Sequence, residues 1–215
     1  MIARSRYWRR RYYDIFSFFY DRFIQAHAHR AASGTRSFLA ESAALSHFDV
    51  PWGLDICCGT GAVVLALADR YPRGIFVGCD FSHGMLHAAR RKDSTGRITF
   101  IQGNAATLPF ADDTFHVVSC SHALYELKGA DRFDALNEMK RVVRRDGVVL
   151  IMEHEAPTGA LAALMFRLRL RAMGTADARE FAASGLEPYQ QMFPLVSLCH
   201  TPSGKSKLIG CRKQQ

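Results

Sequence analysis

Leu54-Asp55-Ile56-Cys57-Cys58-Gly59-Thr60-Gly61-Ala62 is the stretch from which the rest of the chain can be read. An apolar run enters it and two glycines sit inside it. Val63, Val64, Leu65, Leu67 and Ala68 then leave it with helical spacing. A strand, a tight turn and a helix start in that order bring backbone N–H groups close to a small ligand at a helix N-terminus.

Strands and helices alternate outward from this turn. The pattern predicts strand one over Trp52 to Cys57 and a helix over Gly61 to Tyr71, stopped by Pro72-Arg73-Gly74. Strand two follows over Ile75 to Cys79 and closes on Asp80, and a helix runs from about His83 to Lys92. Ile98 to Gln102 reads as strand three, His116 to Ser121 as strand four, Arg132 to Arg144 as a helix, and Val148 to Glu153 as strand five after an Asp146-Gly147 turn. Crossovers of this length imply a parallel sheet wound by right-handed connections. Helical patterns over Gly159 to Met173 and Asp177 to Ser184 come next. Two strands then flank a turn at Pro202-Ser203-Gly204-Lys205, one near Gln191 to Leu198 and one over Ser206 to Cys211. Two strands so joined form an antiparallel hairpin. The expected architecture is therefore α/β and Rossmann-like: a seven-stranded, mostly parallel sheet with a C-terminal antiparallel hairpin.

Upstream, Tyr12, Ile15, Phe16, Phe19, Tyr20, Phe23 and Ile24 fall on one helical face, with Arg11, Asp14, Asp21, Arg22 and Gln25 on the other. Such an amphipathic helix suits packing on the domain, a lid over a hydrophobic substrate, or a membrane surface with its arginines toward headgroups. A second helix is expected over Arg36 to Ser46. Residues 1–48 thus read as an N-terminal helical cap or lid, and residues 49–215 as the core of one domain.

Composition sets bounds on these readings. With 48% hydrophobic and 22% charged residues in 215, the chain can bury one sizeable core, and it contains no low-complexity tract. The net charge of +8 is uneven, because Arg4, Arg6, Arg9, Arg10 and Arg11 crowd the start. A basic run attracts anionic surfaces or serves only as a solvated tail. Confined to one end, and with no target-base motif beside it, it argues against nucleic acid as substrate. The 6 cysteines show no CxxC pair, and most lie in apolar runs, where cysteine behaves as a small hydrophobe. No apolar run is long enough to span a bilayer, and Asp14 and Asp21 interrupt any signal-like stretch. The expected setting is reducing and cytoplasmic, with peripheral membrane contact through the basic, aromatic N-terminus.

The glycine turn alone does not name its ligand. A dinucleotide fingerprint would need a third glycine, but Gly59-Thr60-Gly61-Ala62-Val63-Val64 lacks one, which counts against a nicotinamide cofactor. Asp80 closes strand two about twenty residues beyond the turn, where a carboxylate can accept the hydroxyls of a ribose. With these features the sequence resembles the class I S-adenosylmethionine-dependent methyltransferases, in the style of the ubiquinone/menaquinone C-methyltransferase group. The matching pieces are LDICCGTGA, VGCDFSHGML (77–86), GNAATLPFADDTFHVV (103–118) and the run from Ala135 to Ile151.

The resemblance implies roles for particular residues. Asp55, Cys57, Gly59 and Gly61 would line the methionine moiety of S-adenosylmethionine, with S-adenosylhomocysteine as product. Asp80 would hold the ribose, Phe81 and Met85 would flank the adenine, Asn104 and Ala105 would lie at its edge, and Ser121 would end strand four nearby. Two positions depart from the family pattern. Cys57 stands where the first glycine is usual, and Asn104 stands for the usual acid, though an amide oxygen can still accept from the adenine amino group.

The methyl donor is already activated, so the protein's main task is alignment, with a base needed only where the nucleophile must lose a proton. Candidates for that base stand after strands four and five: His122, Tyr125 and Glu126, then Glu153, His154 and Glu155. Of these, His154, His122 and Tyr125 are taken as the catalytic candidates. No second histidine or cysteine stands at ligand spacing to His154, so no metal site is expected. Arg167, Arg169 and Arg171 suit an anionic group on the acceptor or a solvated helix face. The acceptor implied is small and hydrophobic or lipid-like, such as a quinone precursor or a phospholipid headgroup. A non-catalytic adenosyl-ligand-binding protein and a nucleotide-dependent oxidoreductase are the competing readings.

Overall fold

A computed structural model describes residue 14 and residues 34–127, 129–155, 181 and 184–213. The helices expected over 12–24, 159–173 and 177–184 lie almost wholly outside the described residues, as do Arg167, Arg169 and Arg171. The chain separates into two compact units, residues 1–105 and 106–215.

The first unit opens with helix α1 (residues 34–42) and a 3₁₀ turn, Leu45–His47. The Tyr71 hydroxyl ties both together, donating to the Ala40 carbonyl at 3.0 Å and accepting from the Leu45 N–H at 3.2 Å. Then come β1 (Trp52–Ile56), α2 (Ala62–Arg70), β2 (Ile75–Asp80), α3 (His83–Lys92) and β3 (Ile98–Gln102). Both strand pairings are parallel, with Asp55 opposite Gly78 and Asp80 opposite Gln102. The central strand β2 is buried from Phe76 to Asp80, which is why it reads as a continuous apolar run rather than an alternating one. Leu54, Ile56, Val64, Leu67, Phe76 and Leu86 form the core around it.

The second unit holds β4 (Phe115–Ser121), a 3₁₀ turn (Leu124–Glu126), α4 (Ala130–Val142) and β5 (Val143–His154). It ends with the short α5 (Glu187–Gln190), β6 (Leu195–His200) and β7 (Ser206–Arg212). β4 pairs with β5 in parallel, while β7 is antiparallel to both β5 and β6. The seven strands run in the order β3-β2-β1-β4-β5-β7-β6. This is the mostly parallel, seven-stranded sheet with a closing hairpin that the alternation implies.

The structure shifts some boundaries. α4 stops at Val142 because Val143 already pairs with Phe115, so β5 starts five residues earlier than its apolar run. The Asp146-Gly147 turn is instead an irregularity inside the ladder, since the register passes from Phe115–Val143 to Val117–Val148. Gly147 is required there, because a Cβ would lie 2.7 Å from the His116 carbonyl oxygen. β6 begins at Leu195 rather than near Gln191, because Met192 and Phe193 bond back to the Tyr189 carbonyl and continue the α5 turn.

Gly78 lies in the middle of β2, and a Cβ there would sit 2.8 Å from the Phe100 ring and 3.0 Å from Cys58 Sγ. Overpacking of this kind costs roughly 1–3 kcal/mol. Gly78→Ala is expected to lower the urea midpoint with an unchanged m-value, measured by circular dichroism.

Candidate active site

In the first unit the site is built at the carboxyl ends of β1 and β2. The backbone leaves β1 through three left-handed residues, Cys57 at φ 52°, Gly59 at φ 54° and Gly61 at φ 79°. Cys58 N–H donates to the Cys79 carbonyl at 3.1 Å and Gly61 N–H to the Cys58 carbonyl at 2.9 Å, which draws the loop onto β2. The conformation that favours glycine is thus kept at Cys57 with a side chain in place, at a cost of about 1 kcal/mol or more. At Gly59 a Cβ would meet nothing within 4 Å, so open space lies over the turn. At Gly61 it would lie 3.0 Å from Ala89 Cβ and 3.3 Å from Phe100, so here the glycine serves close packing of α2 on its neighbours.

Asp80 organises this end. Its Oδ2 accepts from Gly59 N–H at 2.8 Å and its Oδ1 from Ser82 N–H at 2.9 Å, which aims the buried carboxylate from the tip of β2. Lys92 Nζ donates to the Thr60 hydroxyl at 2.7 Å, holding the glycine turn from α3. Gln102 Nε2 donates to the Phe81 carbonyl at 2.9 Å. Met85 and Ala105 are buried, Asn104 is exposed, and Asp55 is buried in β1. Burial, followed by the nearby carboxylates, pushes the Cys58 thiol well above its ordinary range. Burial, then Cys57 and the same carboxylates, takes Cys79 up to about 12. Both stay protonated and pack as small apolar groups. An open turn, a fixed carboxylate some twenty residues on and an apolar helix start fit an adenosyl ligand; Lys92 is the residue here that spacing alone misses.

In the second unit a polar cluster forms where β4 and β5 end and β7 begins. His122, the first residue beyond β4, has φ 53° and donates its N–H to the Met152 carbonyl at 2.8 Å. Its ring is gripped on both sides, with Nδ1 3.0 Å from the Ser121 hydroxyl and Nε2 3.0 Å from the Ser206 hydroxyl. The His154 ring lies against it at a centroid distance of 4.1 Å, and the Tyr125 ring is 6.0 Å from His154. The three catalytic candidates and Ser121 therefore meet in one place. Ser206 joins them from the hairpin, 84 residues from His122.

The Glu153-His154-Glu155 run does not act as a unit. Glu155 turns outward and pairs with His200 at 2.7 Å. Glu153 is buried, and its Oε1 has no hydrogen-bond partner among the described residues. Burial raises its pKa to about 8, with Lys207 and Arg132 opposing and Glu126 reinforcing the shift. Arg132 is buried as well. Its guanidinium donates to the carbonyls of Leu124 at 3.1 Å, Tyr125 at 3.2 Å and Leu127 at 2.7 Å, and it stacks 4.4 Å from the Phe181 ring. It thereby sets the turn that carries Tyr125. Its signal in the sequence is its place on the apolar stripe of α4, three, four and seven residues before Ala135, Leu136 and Met139. Glu138 and Arg141 clamp residues 108–112 in the same way, from Leu108 N–H at 2.6 Å and the Phe110 carbonyl at 2.7 Å.

The chain is similar to known proteins over this region. Residues 54–147 match the family described as "Methyltransferase domain". A demethylmenaquinone methyltransferase of Bacillus licheniformis is 38% identical over 156 residues, covering 68% of this chain and 66% of that one. Over residues 54–147 the chain carries a methyltransferase domain of the class I S-adenosylmethionine-dependent kind. S-adenosylmethionine is the cofactor of this domain. Two solved structures share its fold. One is a chain of the Haloferax volcanii complex between the Trm112 methyltransferase activator and a methyltransferase (TM-score 0.66, 16% identity, 94% of this chain and 98% of that). The other is the S-adenosylmethionine-bound CalS10 amino pentose methyltransferase of Micromonospora echinaspora (TM-score 0.55, 23% identity, 64% and 57%). The chain spans from about half to just under two thirds of the length of the curated relatives it matches first.

Two predictions follow from this geometry. Cys57→Gly relieves left-handed strain and is expected to bind S-adenosylhomocysteine as wild type does, whereas Gly61→Val forces a side chain into Ala89 and Phe100 and is expected to abolish binding; calorimetry with S-adenosylhomocysteine checks both. The second concerns Glu153, whose folded value of about 8 lies above its ordinary 4.5. The native state therefore keeps a proton that the unfolded chain releases between those pH values, so its stabilising share is full below the window and is lost as pH rises through it. The change amounts to roughly 3–5 kcal/mol. Glu153→Gln should flatten the pH dependence of urea unfolding between pH 5 and pH 8; an unchanged slope would show that other groups carry it.

Proposed function

We propose that the protein transfers the methyl group of S-adenosylmethionine to a ring carbon of a reduced quinone-type, lipid-like acceptor. The observation that carries this reading is the open, left-handed Cys57–Gly61 turn beside a fixed Asp80, within a domain whose curated relatives are named demethylmenaquinone methyltransferases.

S-adenosylmethionine supplies an electrophilic methyl group that needs no further activation. What the chain must provide is position and a place for protons. Asp55 and the Cys57–Gly61 turn take the methionine end, and Asp80 takes the ribose hydroxyls. Phe81 and Met85 flank the adenine, with Asn104 and Ala105 at its edge, while Ser121 serves the donor side from the end of β4. A phenolic hydroxyl makes its ring carbon a better nucleophile as it loses its proton, and an imidazole is well matched to accept that proton near neutral pH. His154 takes this role. His122, held between Ser121 and Ser206, fixes the His154 ring by stacking, and the Tyr125 hydroxyl orients the acceptor oxygen. After methyl transfer the His154 imidazolium returns its proton to the acceptor oxygen and, neutral again, passes the proton displaced from the methylated carbon to solvent. Among the described residues no helix is long and apolar enough to cross a membrane. The basic, aromatic N-terminal segment then brings the protein to the membrane surface from which a prenylated acceptor would be taken.

The test is methyl transfer from labelled S-adenosylmethionine to a short-chain demethylmenaquinol, with the oxidised quinone as control. His154→Ala should lower kcat by about 10²–10⁴-fold while leaving S-adenosylhomocysteine affinity unchanged. Deleting residues 1–30 should weaken activity toward acceptor held in vesicles. Tight S-adenosylhomocysteine binding without turnover on any quinol would favour a non-catalytic adenosyl-binding role instead.

A further inference from the structure

The first unit carries a second cleft at the end of its sheet away from the glycine turn, where the chain enters β1 and β2. Its volume is about 390 Å³, within the range of small-molecule sites. Buried Leu45, Pro51 and Tyr71 form the floor, and Phe48 and Pro72 flank it. The floor is held rigid. Tyr71 uses its hydroxyl in both capacities, donating to the Ala40 carbonyl and accepting from Leu45 N–H, which fixes its ring. The two prolines add stiff, flat walls that carry no N–H. Nearby carbonyls are already engaged: Pro51 accepts from Ile75 N–H at 2.8 Å, Tyr71 from Gly74 N–H at 2.9 Å and Pro72 from Arg97 Nη1 at 2.6 Å. The rim is charged instead. The Arg70 guanidinium lies 5.7 Å from the Tyr71 ring centroid, and Arg73 pairs with Asp49 at 2.6 Å, their side chains 70% and 77% exposed.

We propose that this cleft binds a small planar aromatic carboxylate, a ligand separate from both the methyl donor and the acceptor. Tyr71, Phe48 and the two prolines offer ring faces that suit a flat apolar body. Two guanidinium groups stand against one carboxylate at the rim, which favours an anionic head over a cation. The engaged carbonyls leave few acceptors for the hydroxyls of a sugar-like ligand, so an aromatic acid fits better than a polyol. The Arg73–Asp49 pair is well exposed, and such pairs contribute little. A ligand carboxylate can therefore take the place of Asp49 on Arg73 with small loss. Helix α2 has the cleft at one end and the cofactor turn at the other, since Arg70 closes it and Gly61 precedes its first residue. The two sites share a helix but no side chain, and both can be filled at once.

The experiment titrates the full chain, isotopically labelled, with 2-naphthoate and follows amide chemical shifts. Saturable shifts are expected at residues 45–49 and 70–74, with a dissociation constant of about 1 mM or below, the affinity usual for a ligand of this size. 2-Naphthamide, which keeps the rings and loses the charge, should bind about tenfold more weakly. Arg70→Met and Arg73→Met, both at exposed positions, should each weaken 2-naphthoate by about five- to tenfold and bind S-adenosylhomocysteine as wild type does. Saturating S-adenosylhomocysteine should leave the affinity for 2-naphthoate unchanged. Three outcomes overturn the proposal: no saturable shift in the cleft, equal affinity for the acid and the amide, or displacement of 2-naphthoate by S-adenosylhomocysteine with shifts at residues 57–61. Unchanged affinity in both arginine variants overturns it as well. If those variants fail to fold, Asp49→Asn replaces them, because it frees Arg73 for the ligand: tighter binding supports the proposal and unchanged binding overturns it.

Discussion

The buried carboxylate of Asp80 spans two turns, accepting from Gly59 N–H after β1 and from Ser82 N–H before α3. Burying an ionised group is costly unless its lone pairs are satisfied, and charge-assisted bonds from fixed backbone donors are the strongest kind available. Each donor belongs to a turn that must hold its shape for the adjoining helix to start. The carboxylate therefore aligns the openings of α2 and α3 at the end of the sheet where the ligand is expected. Gly59 takes a left-handed conformation to present its N–H to Asp80, and the space over it stays empty of side chains. The same interaction that organises the fold there also leaves room for the ligand.

The second unit solves a different problem, with buried charge and turn carbonyls placed near one another. Arg132 donates to three carbonyls of the Leu124–Leu127 turn, of which Leu124 also accepts from Leu127 N–H at 3.1 Å. Glu153 lies within electrostatic reach of Arg132 and Lys207, yet burial dominates and holds the acid neutral over much of the ordinary pH range. Arg132 thus keeps its charge because carbonyl oxygens solvate it, while Glu153 gives its charge up. The two outcomes follow from how many fixed partners each group finds.

The cofactor side was the legible part of this molecule. Its elements are short in sequence: a strand, a glycine turn and a helix start, followed by an acid about twenty residues on. Local propensity and spacing therefore carry the information. β3 and α3 were readable for the same reason, since an apolar run and a helical pattern opening just after Asp80 are local signals. The cluster at the ends of β4 and β5 was only half legible. His122, Tyr125 and His154 stand out by chemical type, but nothing in the spacing shows that Ser206 would close on His122, or that Glu153 would be buried while Glu155 pairs with His200. Those outcomes depend on the β5–β7 register, which sets Glu153 opposite Lys207 and His154 opposite Ser206. Side chains on a strand alternate between faces, so the pleat parts His154 from Glu153, while Glu155 lies beyond the end of β5 and leaves the ladder. Arg144–Gly147 misled for a related reason. A turn-like Asp-Gly pair was absorbed as an irregularity within a ladder that had already begun at Val143.

The two strained non-glycine residues that follow strand ends show how to weigh a side chain in such a place. Cys57 follows β1 at φ 52° and His122 follows β4 at φ 53°, so both carry the same conformational cost. At His122 that cost is offset by contacts only a histidine can make: two serine hydroxyls on its two ring nitrogens, and a stacked partner in His154. No hydrogen bond of the Cys57 thiol offsets it among the described residues, and the turn's bonds run through the backbones of Cys58, Gly59 and Gly61. Strain that is compensated by specific side-chain contacts marks a position where residue identity matters. Strain without such compensation marks one where only the backbone conformation does. By that criterion the departure from glycine at Cys57 leaves the cofactor turn intact, and the irreplaceable residue of the pair is His122.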